Sequence, residues 1–179
     1  MAQPPSRGNR PVPKSEPEAG KLVQQLTFIL AGEEYGIDIL SVREIRAWSK
    51  LTRIPQTPAY VLGVLNLRGA IVPVIDLRLR FGLPREGYDS NTVTVVAAVG
   101  NRLFGVVADS VADVFNAYED RIKPVPDLGA VVDTRFLKGL AGDGERMIML
   151  LDLERLMRPE EAEALDAAMP EIADVAVAA

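Results

Sequence analysis

Two aspartates occupy matching positions in this chain, and paired carboxylates are a residue type that could carry out hydrolysis. Asp76 lies in "VIDLRLRF" and Asp152 lies in "LLDLERLM", each after an apolar run and before a leucine. Two carboxylates that share a proton can act as a catalytic dyad, but such a dyad needs a tight glycine-bearing turn after each aspartate, and here Arg78 and Glu154 follow instead. Each carboxylate could equally accept backbone N–H bonds at the start of a short helical turn. We predict this capping role for both and keep an aspartyl hydrolase as an alternative.

A second group of polar residues has the composition of a recognition surface. Arg68 stands alone before an apolar run in "NLRGAIVPVIDL", and a guanidinium offers five donors in a rigid fork that suits a protein interface. In "SVREIRAW", strand alternation places Val42 with Glu44 on one face and Arg43 with Ile45 on the other. These residues form either a binding patch or ordinary surface, and the pattern alone does not separate the two.

The composition excludes many other kinds of site. The 179 residues include no cysteine and no histidine, which rules out thiol nucleophiles, Ser-His-Asp triads, disulfides and the usual zinc sites. The net charge of -5 is of the wrong sign for a nucleic-acid binder. No phosphate-binding loop or dinucleotide fingerprint occurs, and no apolar window is long enough to span a membrane. We therefore expect a cytoplasmic protein without metal or cofactor, with proteins as its partners.

The elements that must position these residues are mainly β-strands. Residues 1–20 are rich in proline and poor in bulky apolar groups, which predicts a disordered tail. A C-terminal helix is predicted from Pro159 to Pro170, followed by a frayed end, and "TPAYVLGVL" (57–65) could form a helical turn. Short runs rich in valine and isoleucine predict strands at 26–30, 35–39, 70–75, 92–99, 103–108 and 147–151.

The chain contains one unit twice. "EEYGIDILSVREI" (33–45) aligns without a gap on "RLFGVVADSVADV" (102–114), and "GVLNLRGAIVPVIDL" (63–77) aligns on "GLAGDGERMIMLLDL" (139–153). Such self-similarity indicates duplicated architecture, and five short strands in each copy fit a small barrel. We place barrel 1 at about 21–84 and barrel 2 at about 88–153. Gly63 and Gly139 begin the second pair of segments, so we predict a bend or a close strand approach at both.

The repeat also bears on Arg68. In the second copy, Gly142-Asp143-Gly144-Glu145 stands where the first has Asn66-Leu67-Arg68-Gly69. No cation appears at the matching place, so we predict that the fold does not require Arg68 and that a partner does.

From about Lys21 to Met157, the chain resembles the CheW-like family of bacterial chemotaxis coupling proteins. The segments that carry this resemblance are "GVLNLRGAIVPVIDLRLRFG", "EEYGIDILSVREIR", "TRIPQTPAYV", "VVADSVADV" and "RMIMLLDLERLM", all in the family's order. The resemblance implies two intertwined five-stranded SH3-like barrels in a single CheW-like domain (21–158). It also implies a non-enzymatic adaptor that joins the cytoplasmic tip of methyl-accepting chemoreceptors to the regulatory domain of a CheA-type histidine kinase, in arrays beneath the membrane.

The resemblance assigns roles to particular residues. The kinase-facing positions it implies are Lys123 and Leu128, in a stretch where this chain departs from the usual family pattern. The receptor-facing positions it implies are Val42, Glu44, Ile45, Arg68, Val93 and Val114, the valines at 93 and 114 lining a groove between the barrels. An SH3-like module that binds proline-rich peptides is an alternative outside chemotaxis, although the single tryptophan and four tyrosines are scattered.

Overall fold

The computed structural model describes residues 20–84, 87–126, 134–157, 160–165 and 167. Ten strands and a few short helical turns make up this part of the chain, in agreement with the predicted mainly β fold. The strands are β1 (Leu22–Leu30), β2 (Glu33–Asp38), β3 (Val42–Ala47), β4 (Val61–Leu67), β5 (Ala70–Asp76), β6 (Val93–Val99), β7 (Arg102–Ala108), β8 (Ser110–Tyr118), β9 (Leu137–Asp143) and β10 (Arg146–Leu151). The helix α1 (Leu77–Phe81) follows β5, and single 3-10 turns occupy Ile39–Ser41, Glu119–Arg121, Thr134–Phe136 and Leu153–Arg155.

The strands form two five-stranded sheets that exchange segments between the repeats. The first sheet has the order β8-β1-β2-β10-β9, and the second has the order β3-β6-β7-β5-β4. Each sheet therefore takes two strands from one copy of the unit and three from the other. The two copies are intertwined, and the contiguous division into barrels at 21–84 and 88–153 is wrong for the sheets. The division fails because β10 pairs in parallel with β2, and β5 with β7, and each of these pairs joins strands from opposite halves of the chain.

The largest hydrophobic core lies between the sheets and draws on both. Phe28, Leu30 and Ile37 come from the first sheet, while Val95 and Val106 come from the second, and all five are fully buried. These positions alternate along their strands with residues of the opposite face, as the pleat requires. Because each sheet also contains strands of both repeats, neither repeat can bury this core by itself.

The segment 57–65 does not form the helical turn considered from its sequence. Val61–Leu67 is strand β4, paired with β5. Gly63 has φ +148°, and a Cβ at this position would lie 2.3 Å from the carbonyl oxygen of Thr52. The glycine therefore allows the chain before β4 to cross closely over the strand, a tertiary contact that periodicity does not reveal.

The second repeat contains the same crossing. A Cβ at Gly139 would lie 2.6 Å from a side-chain methyl of Ile122 and 3.1 Å from the carbonyl oxygen of Lys123. In each repeat the residue after the glycine forms an isolated antiparallel bridge, Val64 with Thr52 and Leu140 with Lys123. The close approach predicted for both glycines is present in the structure.

The chain ends lie largely outside the described residues. Of the predicted disordered tail, 1–20, only Gly20 is described. Of the predicted C-terminal helix, residues 160–165 and 167 are helical, and Ala162 and Leu165 are buried. None of the described helices is long and apolar enough to cross a membrane.

Candidate protein-interaction site

Arg68 occupies a strained position at the tip of a two-residue hairpin. The turn between β4 and β5 consists of Arg68 at φ +50° and Gly69 at φ +89°, the signs that a type I′ turn demands. The side-chain oxygen of Asn66 accepts a 2.9 Å bond from the amide of Gly69 and closes the turn. Left-handed geometry costs a residue with a Cβ about 1–2 kcal/mol. Arg68 therefore adopts a backbone conformation that is unfavourable for an arginine.

The cation at this turn meets Glu44. The Arg68 guanidinium lies 3.1 Å from the Glu44 carboxylate, with the arginine side chain 82% exposed and the glutamate 28% exposed. Arg46 approaches the other carboxylate oxygen at 3.8 Å. Since Glu44 is in β3 and the turn follows β4, the pair joins the two edge strands of the second sheet. Most of the guanidinium still faces solvent, where an incoming partner can reach it.

The strand that carries Glu44 alternates as predicted. Val42 and Glu44 are half-buried, whereas Arg43 and Ile45 are exposed. Val42 packs against the main core, and Ile45, on the opposite face of β3, remains 44% exposed. We call Glu44, Ile45 and Arg68 the β3 patch, because all three lie at the β3 edge of the second sheet, with the ion pair and the Ile45 side chain on opposite faces of that strand.

Val93 and Val114, the other two positions that the resemblance implies as receptor-facing, belong to different sheets. Val93 begins β6, pairs with Ala47 of β3 and packs half-buried against the main core. Val114 lies in β8 of the first sheet and is 43% exposed. It is the repeat counterpart of Ile45, since both follow the acidic residue of the aligned segments. Ile45 in the second sheet and Val114 in the first are therefore exposed aliphatic side chains at equivalent positions of the two repeats.

The second repeat contains a comparable cation that the gap-free alignment does not show, although the position aligned with Arg68 is Gly144. Arg146, two residues beyond the position aligned with Arg68, lies 3.6 Å from Asp113, the counterpart of Glu44. It also pairs with Glu34 at 2.5 Å and stacks over Phe115. The hydrogen bond from Arg146 lowers the pKa of Glu34, and the same contact raises the pKa of Arg146.

The two arginines nevertheless differ in how far the fold uses them. The Arg146 side chain is 35% exposed and engages two carboxylates and a ring. Arg68 is 82% exposed, and its ion pair among the described residues is with Glu44. An arginine–carboxylate link across a sheet is therefore present in both repeats, from the β4–β5 turn to β3 in the first and from β10 to β8 in the second, while the largely solvent-exposed guanidinium belongs to the first.

The Asp76 side chain is part of a buried network of ion pairs, which was not predicted from the sequence. This side chain is fully buried, caps α1 through the amide of Arg78, and accepts two bonds of 3.1 and 3.0 Å from that arginine's guanidinium. Arg78 also donates to Asp109 at 2.7 Å, and Asp109 accepts from the amide of Ala31. The network therefore joins the end of β5 in the second sheet to the β1–β2 turn of the first. Its signal in the sequence was an arginine two residues after the capping aspartate.

An aromatic pair covers this network. Tyr88 donates a 3.1 Å bond to Asp76, lies under the guanidinium of Arg78 and stacks on Trp48 with centroids 3.9 Å apart. Burial lowers and the two aspartates raise the pKa of Arg78, and the net effect is a raised pKa. With its oxygens engaged in this way, Asp76 presents no surface to a substrate.

Asp152 has the simpler predicted role. Its carboxylate accepts from the amide of Glu154 and caps the turn Leu153–Arg155, and it pairs with Arg155 at 3.3 Å. Asp76 ends β5 of the second sheet and Asp152 directly follows β10 of the first, and the structure gives no support to a shared proton. Across the described ranges, no group of three or more acidic side chains could hold a metal ion.

The sequence model of the CheW-like domain matches residues 24–161, which contain both sheets apart from the first two residues of β1, the β3 patch and the Arg78 network. This match covers well over half of the chain. The chain belongs to the CheW-like domain family. The family assignment made from the motifs is confirmed, and so is the association with chemotaxis scaffolds that it carries.

Individual CheW-like proteins support this membership. The chain is 47% identical over 150 residues to the chemotaxis protein CheW of Klebsiella aerogenes, covering 83% of this chain and 90% of that protein. It is 37% identical over 139 residues to the probable chemotaxis protein CheW of Rhizobium etli, covering 78% and 90%. The crystal structure of the scaffolding protein TtCheW from Thermoanaerobacter tengcongensis superposes with a TM-score of 0.72 at 33% identity, covering 82% and 93%. These relatives are named as chemotaxis and scaffolding proteins.

The second predicted surface of this CheW-like chain is only partly described. Lys123 is exposed, and its backbone exchanges two hydrogen bonds with Leu140 of β9. Its backbone thus covers an edge of the first sheet while its side chain faces solvent. Leu128 lies outside the described residues.

Proposed function

We propose that the protein is a non-enzymatic adaptor that couples chemoreceptors to the chemotaxis histidine kinase. The observation that carries this proposal is the β3 patch. Arg68 keeps a left-handed backbone and an exposed guanidinium where a glycine would fold more easily. Residues that retain strain of this kind concentrate at functional sites.

The receptor tip binds at the β3 patch in this proposal. Ile45 supplies apolar contact area, and the Glu44 carboxylate holds the Arg68 guanidinium in one orientation toward the partner. Val42 and Val93 support the patch from the core side, because both pack half-buried against the main cluster. Val114 contributes to a second receptor contact on the first sheet, at the position equivalent to Ile45.

The kinase regulatory domain binds at the other surface, through Lys123 and Leu128. Lys123 follows β8 and bridges to β9 of the first sheet, whereas the β3 patch lies in the second sheet, so receptor and kinase can be held together. Coupling then follows from linkage. If the receptor state changes the affinity of the kinase contact, the kinase contact changes the receptor-state preference by the same free energy, on the order of 1–3 kcal/mol. Recruitment to membrane-associated receptor arrays is part of this proposal.

Co-sedimentation with receptor fragments that contain the signalling tip tests the β3 patch. The Arg68→Ala variant removes the guanidinium, and Arg53→Ala removes an exposed arginine outside the patch as a matched control. We expect Arg68→Ala to weaken binding at least tenfold, which corresponds to about 1.4 kcal/mol, and Arg53→Ala to bind as the unaltered protein does. Equal binding by both variants would contradict the assignment.

A further inference from the structure

Asn66 is an exposed residue of β4 whose side chain bonds to the turn that carries Arg68. Its neighbour Leu67 is buried in a small core cluster of the second sheet, whereas Asn66 lies on the opposite, solvent-facing side of the strand. The strand ladder ends with Leu67 paired to Ala70, so the amide of Gly69 lies beyond it. The Asn66 side-chain oxygen accepts a 2.9 Å bond from that amide. The asparagine therefore contributes to the turn rather than to the core.

The strength of this hydrogen bond is comparable to the strain at Arg68. A left-handed backbone is unfavourable for any residue with a Cβ, and a hydrogen bond of this kind stabilises by an amount of the same order. With the bond, the strained turn is favoured over the conformations that an arginine would prefer. Without it, Arg68 can leave φ +50° at little cost, and its guanidinium then extends from a different position.

A second hairpin turn of the chain shows the same combination. Ala31 at φ +48° and Gly32 at φ +83° connect β1 to β2, with the same signs as the turn at Arg68. The carboxylate of Asp109 accepts a 2.8 Å bond from the amide of Ala31. Both hairpin turns place a residue with a Cβ in the left-handed region, and in both a side-chain oxygen holds one of the turn amides.

The second repeat provides the opposite case. The position aligned with Arg68 is Gly144, at φ +62°. The position aligned with Asn66 is Gly142, which has no side-chain acceptor. Since a glycine adopts the left-handed conformation without the penalty that a Cβ brings, this turn needs no such acceptor. The side-chain acceptor thus occurs with the strained arginine and not in both copies of the hairpin.

We propose that Asn66 is a positioning residue for the receptor contact, which holds the backbone of Arg68 in the conformation that the receptor recognises. This role rests on the proposed function, in which the guanidinium of Arg68 binds the receptor tip. Glu44 orients the guanidinium through its ion pair, and Asn66 fixes the backbone from which that side chain extends. If the binding-competent turn is only partly populated, the apparent affinity falls in proportion to its population. Asn66 therefore raises receptor affinity without touching the receptor.

Receptor co-sedimentation and NMR of three full-length variants test this role. Asn66→Ala removes the acceptor, Asn66→Asp keeps an oxygen at the same place, and Asn101→Ala removes an exposed asparagine from the β6–β7 turn as a matched control. A strong cross-peak between the amide and α protons of Arg68 marks its positive φ. We expect Asn66→Ala to weaken that cross-peak and to lower receptor affinity about fivefold, while Asn66→Asp and Asn101→Ala behave as the unaltered protein does. A purely structural role would lower the unfolding temperature and leave the affinity of the folded protein unchanged, which would overturn the proposal.

A double variant separates positioning from direct contact. Because Asn66 acts through Arg68, Asn66→Ala should weaken binding no further in the Arg68→Ala background. A further loss of similar size there would show that Asn66 touches the receptor and would overturn the positioning role. The role is also overturned if Asn66→Ala keeps the Arg68 cross-peak, even where Arg68→Ala binds weakly. Normal binding by Arg68→Ala would instead contradict the proposed receptor contact itself.

Discussion

The guanidinium of Arg68 lies 3.1 Å from the carboxylate of Glu44, although the two residues belong to opposite edges of one five-stranded sheet. In a flat sheet those edges would be about 19 Å apart, four strand spacings of about 4.8 Å. The sheet must therefore curve until its first and last strands approach each other. The contact between Arg68 and Glu44 is evidence of this curvature, and it also orients an exposed cation at the tip of a strained turn.

The strain at Arg68 can be measured by two substitutions at one site. Arg68→Gly removes the left-handed penalty, and the exposed ion pair that it also removes is worth at most about 1 kcal/mol. We expect Arg68→Gly to be about 0.5–1 kcal/mol more stable than Arg68→Ala in urea unfolding. Both variants should lose receptor binding alike. If Arg68→Gly is no more stable than Arg68→Ala, the turn is not strained by its arginine.

The Glu34–Arg146 pair predicts a dependence of stability on acid. The pKa of Glu34 is lowered from its ordinary value of 4.5, chiefly by the hydrogen bond from Arg146. The unfolded chain therefore binds more protons as pH falls below about 4.5, so the contribution of this pair is present above that pH and is lost as pH falls through the lower folded pKa. In Arg146→Met, the Glu34 carboxyl should titrate at a higher pH in a carbon-detected NMR titration, and stability should fall less steeply in acid. An unchanged Glu34 titration in the variant would contradict this account.

Removing one member of the buried Asp76–Arg78 ion pair should strongly destabilise the protein. Arg78→Met leaves the fully buried Asp76 charge without its partner and should cost about 3–5 kcal/mol in urea unfolding. The double variant Asp76→Leu with Arg78→Met removes both charges and should recover much of that loss. A double variant as unstable as the sum of the two single variants would show that the charges do not depend on each other. Trp48, the single tryptophan, stacks on Tyr88 at the edge of this network and provides the fluorescence signal.

The two crossing glycines should differ in their tolerance of a methyl group. Gly63→Ala places a Cβ 2.3 Å from a backbone oxygen at φ +148° and should cost about 3 kcal/mol. Gly139→Ala first meets a methyl of Ile122, which can move, and should cost about 1 kcal/mol. Thermal unfolding of the two variants measures this difference. Equal losses would mean that the backbone at Thr52 gives way as easily as the Ile122 side chain.

Much of the fold could be predicted from the sequence because it depends on local patterns. The valine-rich runs predicted six of the strands, and the self-similar segments predicted the duplication and the capping aspartates. Strand β4 was missed because Gly63 interrupts its apolar pattern, and the contact with Thr52 that explains this glycine is tertiary. Local patterns could not predict the exchange of strands between the repeats, because the similarity of the two repeats does not indicate which strands pair with each other.

The candidate site shows the same division. Alternation separated Val42 and Glu44 from Arg43 and Ile45 but did not show which pair is more exposed, and Arg68 was singled out by its position before an apolar strand. The cation of the second repeat was missed because a gap-free alignment compares residue types at fixed positions. Arg146 contacts Asp113 although it lies two residues beyond the position aligned with Arg68. The length of its side chain and the pairing of the strands allow this contact. The Arg78 network joins residues that are 31 positions apart in sequence, and nothing in the composition connects them.

Sedimentation of the ternary mixture tests the central claim most directly. The protein is combined with receptor fragments that contain the signalling tip and with the regulatory domain of a CheA-type kinase, and the amount of kinase domain that sediments with receptor is measured. The account predicts that the kinase domain sediments when the unaltered protein or Arg53→Ala is present and that much less sediments with Arg68→Ala or Lys123→Ala. Sedimentation of the kinase domain that does not depend on this protein would contradict the adaptor role. Equal sedimentation with Arg68→Ala would contradict the placement of the receptor contact at the β3 patch.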